Sequence, residues 1–144
     1  MSSILLLHGP NLDLLGQREP EVYGNATLQD YVDVVRRSAA LVGADVEDFQ
    51  SNHEGHLVEA VHRARGHHDA IIINAGALTH YSWALHDALG AFDGRIIEVH
   101  ISNPHARDEF RRVSVIAPKA HATIAGLGSK GYVLAVSAAV TAVR

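Results

Sequence analysis

Apolar positions open the chain as a short run, Ile4 to Leu7, closed by His8-Gly9-Pro10. Four consecutive apolar residues ended by Gly-Pro read as a buried strand that enters a loop. Further on the period changes. Thr27-Leu28-Gln29-Asp30 has the order of a capping box, and Leu28, Tyr31, Val32, Val35, Ala39 and Val42 recur at helical spacing as far as Gly43, which predicts a first helix over about 28–42. ADVEDF (44–49) reads as a second strand, and Leu57, Val58, Val61 and Ala64 mark a second helix ending near Gly66. DAIIIN (69–74) has the unbroken branched run of a parallel strand covered on both faces. Thr79 is placed to cap a helix carrying Trp83, Leu85, Ala88, Leu89 and Phe92, and RIIEVHI (95–101) follows as a fourth strand. A short helical piece around 105–111, a fifth strand near 122–125 and a last helix from about 129 complete the pattern.

Strict alternation of strand and helix implies an α/β protein, with a parallel sheet, right-handed crossovers and helices on both faces. Five strands in this length suit a flavodoxin-like, doubly wound sheet in the order 2-1-3-4-5. With 144 residues and 47% hydrophobic content, residues 1–144 are expected to form a single domain. Cysteine is absent, which removes disulfides, thiolate metal sites and a Cys nucleophile and suits a reducing cytoplasm. No basic segment precedes the first apolar run, and nothing approaches the ~18 apolar residues of a membrane span. A net charge of -4 supplies no basic field for nucleic acid.

In an open α/β sheet, ligands bind beyond the carboxyl ends of the strands, where strand order reverses. That rule selects the segments after strands one, three and four: HGPNLDLLGQREPEVYG (8–24), NAGALTH (74–80) and EVHISNPHARDEFR (98–111). The first is too long for a tight turn and lacks periodicity, which suits a lid anchored by Leu12, Leu14 and Leu15. Within it Arg18 and Tyr23 lie five residues apart. Ionising an ordinary tyrosine, with pKa ~10, near neutrality costs roughly 4 kcal/mol. One guanidinium about 4 Å away, at an effective dielectric of ~20, contributes on the order of 4 kcal/mol. Spacing alone equally allows Arg18 to pair with Glu19 or Glu21. Glu98 and His100 flank Val99 and share one strand face, so the carboxylate can orient an imidazole serving as general acid; a hydrogen-bonded structural histidine is the alternative. Ser102 and Asn103 offer donors, while Arg107 and Arg111, four apart, suit a carboxylate clamp on one helix face. Asn74 is placed to donate to a substrate, His80 opens the next helix, and Asp87 projects from roughly the same face, where a surface acid is the simpler reading.

Other motifs fail. GLGSKG (126–131) matches G-x-G-x-x-G, but no acidic residue follows in the remaining chain, so it reads as a strand-to-helix turn. HEGH (53–56) lacks metalloprotease spacing, His67-His68 has no partner at ligand spacing, and no Ser sits in G-x-S-x-G. A metal is not expected. A receiver domain is disfavoured because the third strand ends in Asn74 rather than a phosphorylatable Asp.

HGPNLDLLGQREPEVYG, QSNHEG, NAGALTH, IEVHISN, HARDEFR and GLGSKGY, in this order and spacing, resemble type II 3-dehydroquinate dehydratase over nearly the whole chain. The resemblance implies a flavodoxin-like enzyme of the shikimate pathway or of quinate breakdown that needs neither metal nor organic cofactor. It would remove water from 3-dehydroquinate, giving 3-dehydroshikimate by anti elimination through an enolate. Tyr23 would be the base, Arg18 would lower its pKa and close with the lid, and His100, oriented by Glu98, would protonate the leaving hydroxyl. Asn11 would help stabilise the enolate oxygen. Asn74, His80, Ile101, Ser102 and Arg111 would bind the substrate's hydroxyls and carboxylate. Asp87 would reach a neighbouring subunit's site in a dodecamer, a tetramer of trimers. His8, Asp13, Tyr81 and Lys130 depart from the family's usual residues. Two other classes remain open beside the enzyme: an anion- or cofactor-binding module without catalysis, and an oligomerising structural domain.

Overall fold

The computed structural model describes residues 2–141. Strands β1 (Ser2–His8), β2 (Ala44–Gln50), β3 (Ala70–Asn74), β4 (Arg95–His100) and β5 (Ala122–Ala125) form one sheet in the order β2-β1-β3-β4-β5. Every pairing is parallel, as the alternation of elements required. The helices are a single turn α1 (Pro20–Tyr23), then α2 (Leu28–Leu41), α3 (Glu54–Ala64), α4 (Trp83–Gly90) and α5 (Ser129–Val140).

Strand alternation sorts the apolar run into two cores. Ile4, Leu6, Ile72, Ile97 and Val99 face α2 and α5, whereas Leu5, Leu7, Ile71, Ile73 and Ile96 face α3 and α4. Between their ends β1 and β3 are therefore apolar on both faces, and β4 is so at Ile96 and Ile97 before Glu98 and His100 share one face at its carboxyl end.

Helix ends explain where the elements depart from the periodicity. Both halves of the Thr27 capping box form, with Asp30 N–H on Thr27 Oγ1 at 3.2 Å and Thr27 N–H on Asp30 Oδ2 at 2.9 Å. Thr79 does not cap α4. Residues Gly76–His80 turn as a 3₁₀ helix that stops at Tyr81, and Ser82 caps the next helix by accepting from Leu85 N–H at 3.1 Å. The piece expected around 105–111 is two 3₁₀ turns, Pro104–Ala106 and Glu109–Arg112, broken by an extended Arg107. The long loop after β1 folds into a 3₁₀ turn, Leu12–Leu14, and α1, which starts with Pro20 in its first turn and stops at Gly24, φ 75°. Leu12 and Leu15 anchor its base, but Leu14 points to solvent.

Two glycines fix how the loops after β1 and β3 cross. A Cβ on Gly9 would lie 2.2 Å from the Ala75 carbonyl oxygen, and one on Gly76 would lie 2.9 Å from that of Pro10. Gly9 N–H donates to Asn74 O at 2.8 Å across this crossing. The contact lies at the carboxyl ends of adjacent strands from which the chain winds outward in opposite directions, which is the switch point.

Candidate active site

The three segments selected by the switch-point rule meet in one cleft of about 90 Å³ at the carboxyl edge of the sheet. Asn11, Arg18 and Tyr23 reach it from the first segment, and Asn74 and His80 from the second. His100, Ile101, Ser102, Arg107 and Arg111 reach it from the third. Glu98 stands behind His100 rather than on the cleft wall, and Asp87 lies exposed on α4, outside its own cleft. Neither Asp13 nor Tyr81 lines the cleft; both face solvent, so these two departures from the family pattern leave its wall unaltered.

Asn11 leaves β1 in the left-handed region, φ 69°, one of two non-glycine residues with positive φ among those described; the other is Glu19. Asparagine tolerates this backbone better than most residues. Its N–H donates to Asn52 Oδ1 at 2.9 Å, and Gln50 Nε2 donates to Gly9 O at 3.2 Å, so the end of β2 holds the loop in this conformation.

On one wall, Arg107 Nη1 donates to the Tyr23 hydroxyl at 2.6 Å, with its guanidinium 5.2 Å from the ring centroid. Arg18 Nη2 donates instead to Glu19 at 2.7 Å, and its guanidinium lies 5.6 Å from the Tyr23 ring centroid. Glu19 also approaches Arg107 Nη2 at 3.6 Å and so bridges the two cations. The spacing of Arg107 and Arg111 suggested a shared clamp, but the extended Arg107 breaks the helix and sends its side chain to the phenol. Arg111 stays on the cleft with its guanidinium over Phe110 at 4.7 Å; its Nε lies 3.9 Å from Asp108 Oδ2 and is buried without a hydrogen-bond partner among the described residues.

On the other wall, His100 Nε2 lies 2.5 Å from Glu98 Oε2. A carboxylate only accepts, so Nε2 carries the proton and Nδ1 is left to serve the cleft. Glu98 is buried, and Ser114 Oγ donates to both of its oxygens at 3.0 and 3.1 Å. Ile116 and Ala117 N–H groups occupy the lone pairs of that hydroxyl at 3.2 and 3.0 Å, which leaves its single proton directed at Glu98. Thr123 Oγ1 approaches from β5 at 3.5 Å. Sequence reasoning missed Ser114 and Thr123, because a lone hydroxyl between apolar neighbours carries no local signal of a buried carboxylate brought to it by the sheet.

His80 donates from Nδ1 to the Val113 carbonyl at 2.7 Å, which turns Nε2 to the cleft as an acceptor. Burial lowers its pKa below 6.5 and keeps the ring neutral. Asn74 accepts from Gly76 N–H at 3.2 Å and donates to the Tyr132 hydroxyl at 3.4 Å, so its amide plane is fixed at both ends. Three guanidiniums and the donors of the third segment thus face a cleft whose carboxylates lie behind or beside it, an arrangement suited to a small hydroxylated anion.

The family model described as "Dehydroquinase class II" matches residues 2–140. The chain belongs to the class II dehydroquinase family. It is 53% identical over 137 residues to a 3-dehydroquinate dehydratase of Bacillus licheniformis, covering 95% of this chain and 94% of that one. It is 55% identical over 140 residues to "Catabolic 3-dehydroquinase 2" of Neosartorya fischeri, covering 97% and 93%. Among solved structures, a type II dehydroquinase of Butyrivibrio crossotus superposes with a TM-score of 0.94 at 41% identity, over 97% of this chain and 98% of that one. The dehydroquinase reading also accounts for the position of the cleft, since its walls are built from the segments that carried the resemblance. Among the described residues no helix is long and apolar enough to cross a membrane. Among them, too, no group of three or more His, Cys, Asp or Glu side chains is placed to hold a metal ion.

Proposed function

We propose that this dehydroquinase removes water from 3-dehydroquinate to give 3-dehydroshikimate by anti elimination through an enolate. The observation that carries the reading is the pairing of a cation-held phenol on one wall of the cleft with a carboxylate-held imidazole on the other. The Tyr23 oxygen takes the proton from the carbon next to the ketone, and the adjacent Arg107 guanidinium stabilises the tyrosinate that does so. Arg18, freed from Glu19 by an anionic substrate, adds its charge to the same wall. The electron pair moves into the enolate, whose oxygen lies toward Asn11. Collapse of the enolate expels the hydroxyl one carbon further on; His100 enters the step protonated on both ring nitrogens, keeps Nε2–H on Glu98 and gives its Nδ1 proton to the hydroxyl, which leaves as water. Glu98 orients the ring and stabilises the imidazolium. Arg111 takes the substrate carboxylate, while Asn74, His80, Ile101 and Ser102 hold its hydroxyls.

Asp87 completes the site of a neighbouring subunit in a dodecamer, a tetramer of trimers. Supporting this, Tyr81, Trp83, Phe110 and Val113 are each more than half exposed close to the cleft, where a second copy would cover them. Light scattering of the purified chain tests the assembly, and a monomeric mass would refute it. For the reaction itself, purified chain is mixed with 3-dehydroquinate and ultraviolet absorbance is followed as the conjugated enone forms. Absorbance rises without added metal; a flat trace at every pH between about 6 and 9 removes the proposal.

A further inference from the structure

A buried polar chain leads from behind the cleft to Asn74 on its wall, and its two hidden members, His8 and Tyr132, have no role in the elimination described above. His8, the last residue of β1, is in register with Asn74, the last residue of β3. Both are buried, and Tyr132 in the first turn of α5 is fully enclosed, its ring 5.6 Å from that of His8 and 5.4 Å from that of Tyr31. Its hydroxyl lies 2.8 Å from His8 Nε2 and 3.4 Å from Asn74 Nδ2.

An amide NH₂ only donates, so Asn74 occupies one lone pair of the Tyr132 oxygen. Of the two tautomers of a neutral His8, the one protonated on Nδ1 gives the single phenolic proton an acceptor at Nε2, whereas the other leaves that buried proton without an acceptor in this chain of three residues. Burial lowers the His8 pKa to about 4 and raises that of Tyr132, so neither group changes charge near neutrality. The other end of Asn74 is tied to Gly76 N–H at the loop crossing.

We infer that Tyr132, held by His8, is a positioning residue that fixes the amide of Asn74 for substrate binding at the cleft, linking α5 to a site it does not line. The inference rests on the dehydroquinase reading for its substrate, but the geometry of Asn74 is measurable without turnover. Removing the hydroxyl leaves the Asn74 NH₂ without its buried acceptor, while removing the His8 acceptor lets the phenolic proton turn. Gln at position 8 restores an acceptor near the former Nε2; Leu does not.

The test joins kinetics with nuclear magnetic resonance. In Tyr132→Phe, the Asn74 side-chain NH₂ exchanges with solvent about tenfold faster or more, and kcat/KM for 3-dehydroquinate falls about tenfold, mostly through KM, as expected for one buried hydrogen bond. In an Asn74→Ala background the same substitution has no further effect on kcat/KM, whereas Val136→Ala, a core lesion in the same helix, contributes independently. If Tyr132→Phe does not fold, His8→Leu and His8→Gln carry the comparison: Leu reproduces the loss and Gln recovers kcat/KM to within about threefold of the parent. Unchanged Asn74 exchange in Tyr132→Phe or His8→Leu overturns the inference, as does full additivity with Asn74→Ala. Absence of turnover in the parent chain overturns the functional reading alone, because the exchange measurement still decides the positioning.

Discussion

The guanidinium of Arg107 donates to the Tyr23 hydroxyl at 2.6 Å, joining residues 84 positions apart, while Arg18, five residues from the same phenol, is paired with Glu19 at 2.7 Å. A cation in contact with the phenol therefore comes from the segment after β4, and the proposed base is assembled only when that segment and the loop after β1 are both in place.

Arg107→Ala lowers kcat by about 10²- to 10³-fold, the usual scale for removing a charged donor from developing negative charge. Exchange of the proton next to the ketone falls in parallel, and Tyr23→Phe abolishes both. Retention of kcat within about threefold in Arg107→Ala would show that Arg18 alone supports the base.

Ser114→Ala removes the hydroxyl that donates to both oxygens of buried Glu98. Leaving that carboxylate short of a donor costs about 1–3 kcal/mol, visible as a Tm lowered by several degrees. Because Glu98 orients His100, kcat falls about tenfold with little change in KM. Equal loss in kcat and in substrate affinity would point to general loosening of the cleft.

His8 makes the fold acid-sensitive. Its folded pKa is depressed from 6.5 to about 4 by burial, so between those values the unfolded chain binds a proton that the folded chain refuses. This contribution to stability is complete above pH 6.5 and is lost as pH falls toward 4; the lowered pKa of His80 acts in the same direction. Lowering the His8 pKa from 6.5 to about 4 corresponds to roughly 3 kcal/mol. Urea unfolding at pH 7 and near pH 4.5 shows most of that loss, and His8→Gln flattens the slope. An equal slope in the two proteins would exclude His8 as its source.

Gly9→Ala sets a methyl carbon against the Ala75 carbonyl oxygen where only 2.2 Å is available. Backbone must move on both sides of the loop crossing, which costs about 2–4 kcal/mol. Activity falls further than stability, since Asn11 and Asn74 flank this contact. Gly55→Ala, in the first turn of α3 with nothing within 4 Å of the added carbon, is the control and leaves Tm unchanged or slightly raised.

Local pattern alone set much of this protein. The apolar runs at 4–7 and 70–73 require strands buried on both faces, and the Thr27–Asp30 box starts a helix by contacts within one turn, so these strands and the first long helix follow from neighbours in sequence, while the order 2-1-3-4-5 follows from the alternation of strand and helix along the whole chain. The switch-point rule then selected the three segments that do form the cleft, because strand direction fixes which end of a parallel sheet collects the loops. Ser82 displaced Thr79 as a cap because a 3₁₀ turn at Gly76–His80 spent the intervening residues. What sequence could not decide is which long, flexible side chain reaches which partner. Arg18 is near Tyr23 in the chain and Arg107 is far, yet the extended break at Arg107 aims the distant one at the phenol. Ser114 beneath Glu98, and Tyr132 between His8 and Asn74, likewise exist only once the sheet has brought remote segments together, because hydrogen bonds depend on distance and direction in space rather than on separation along the chain.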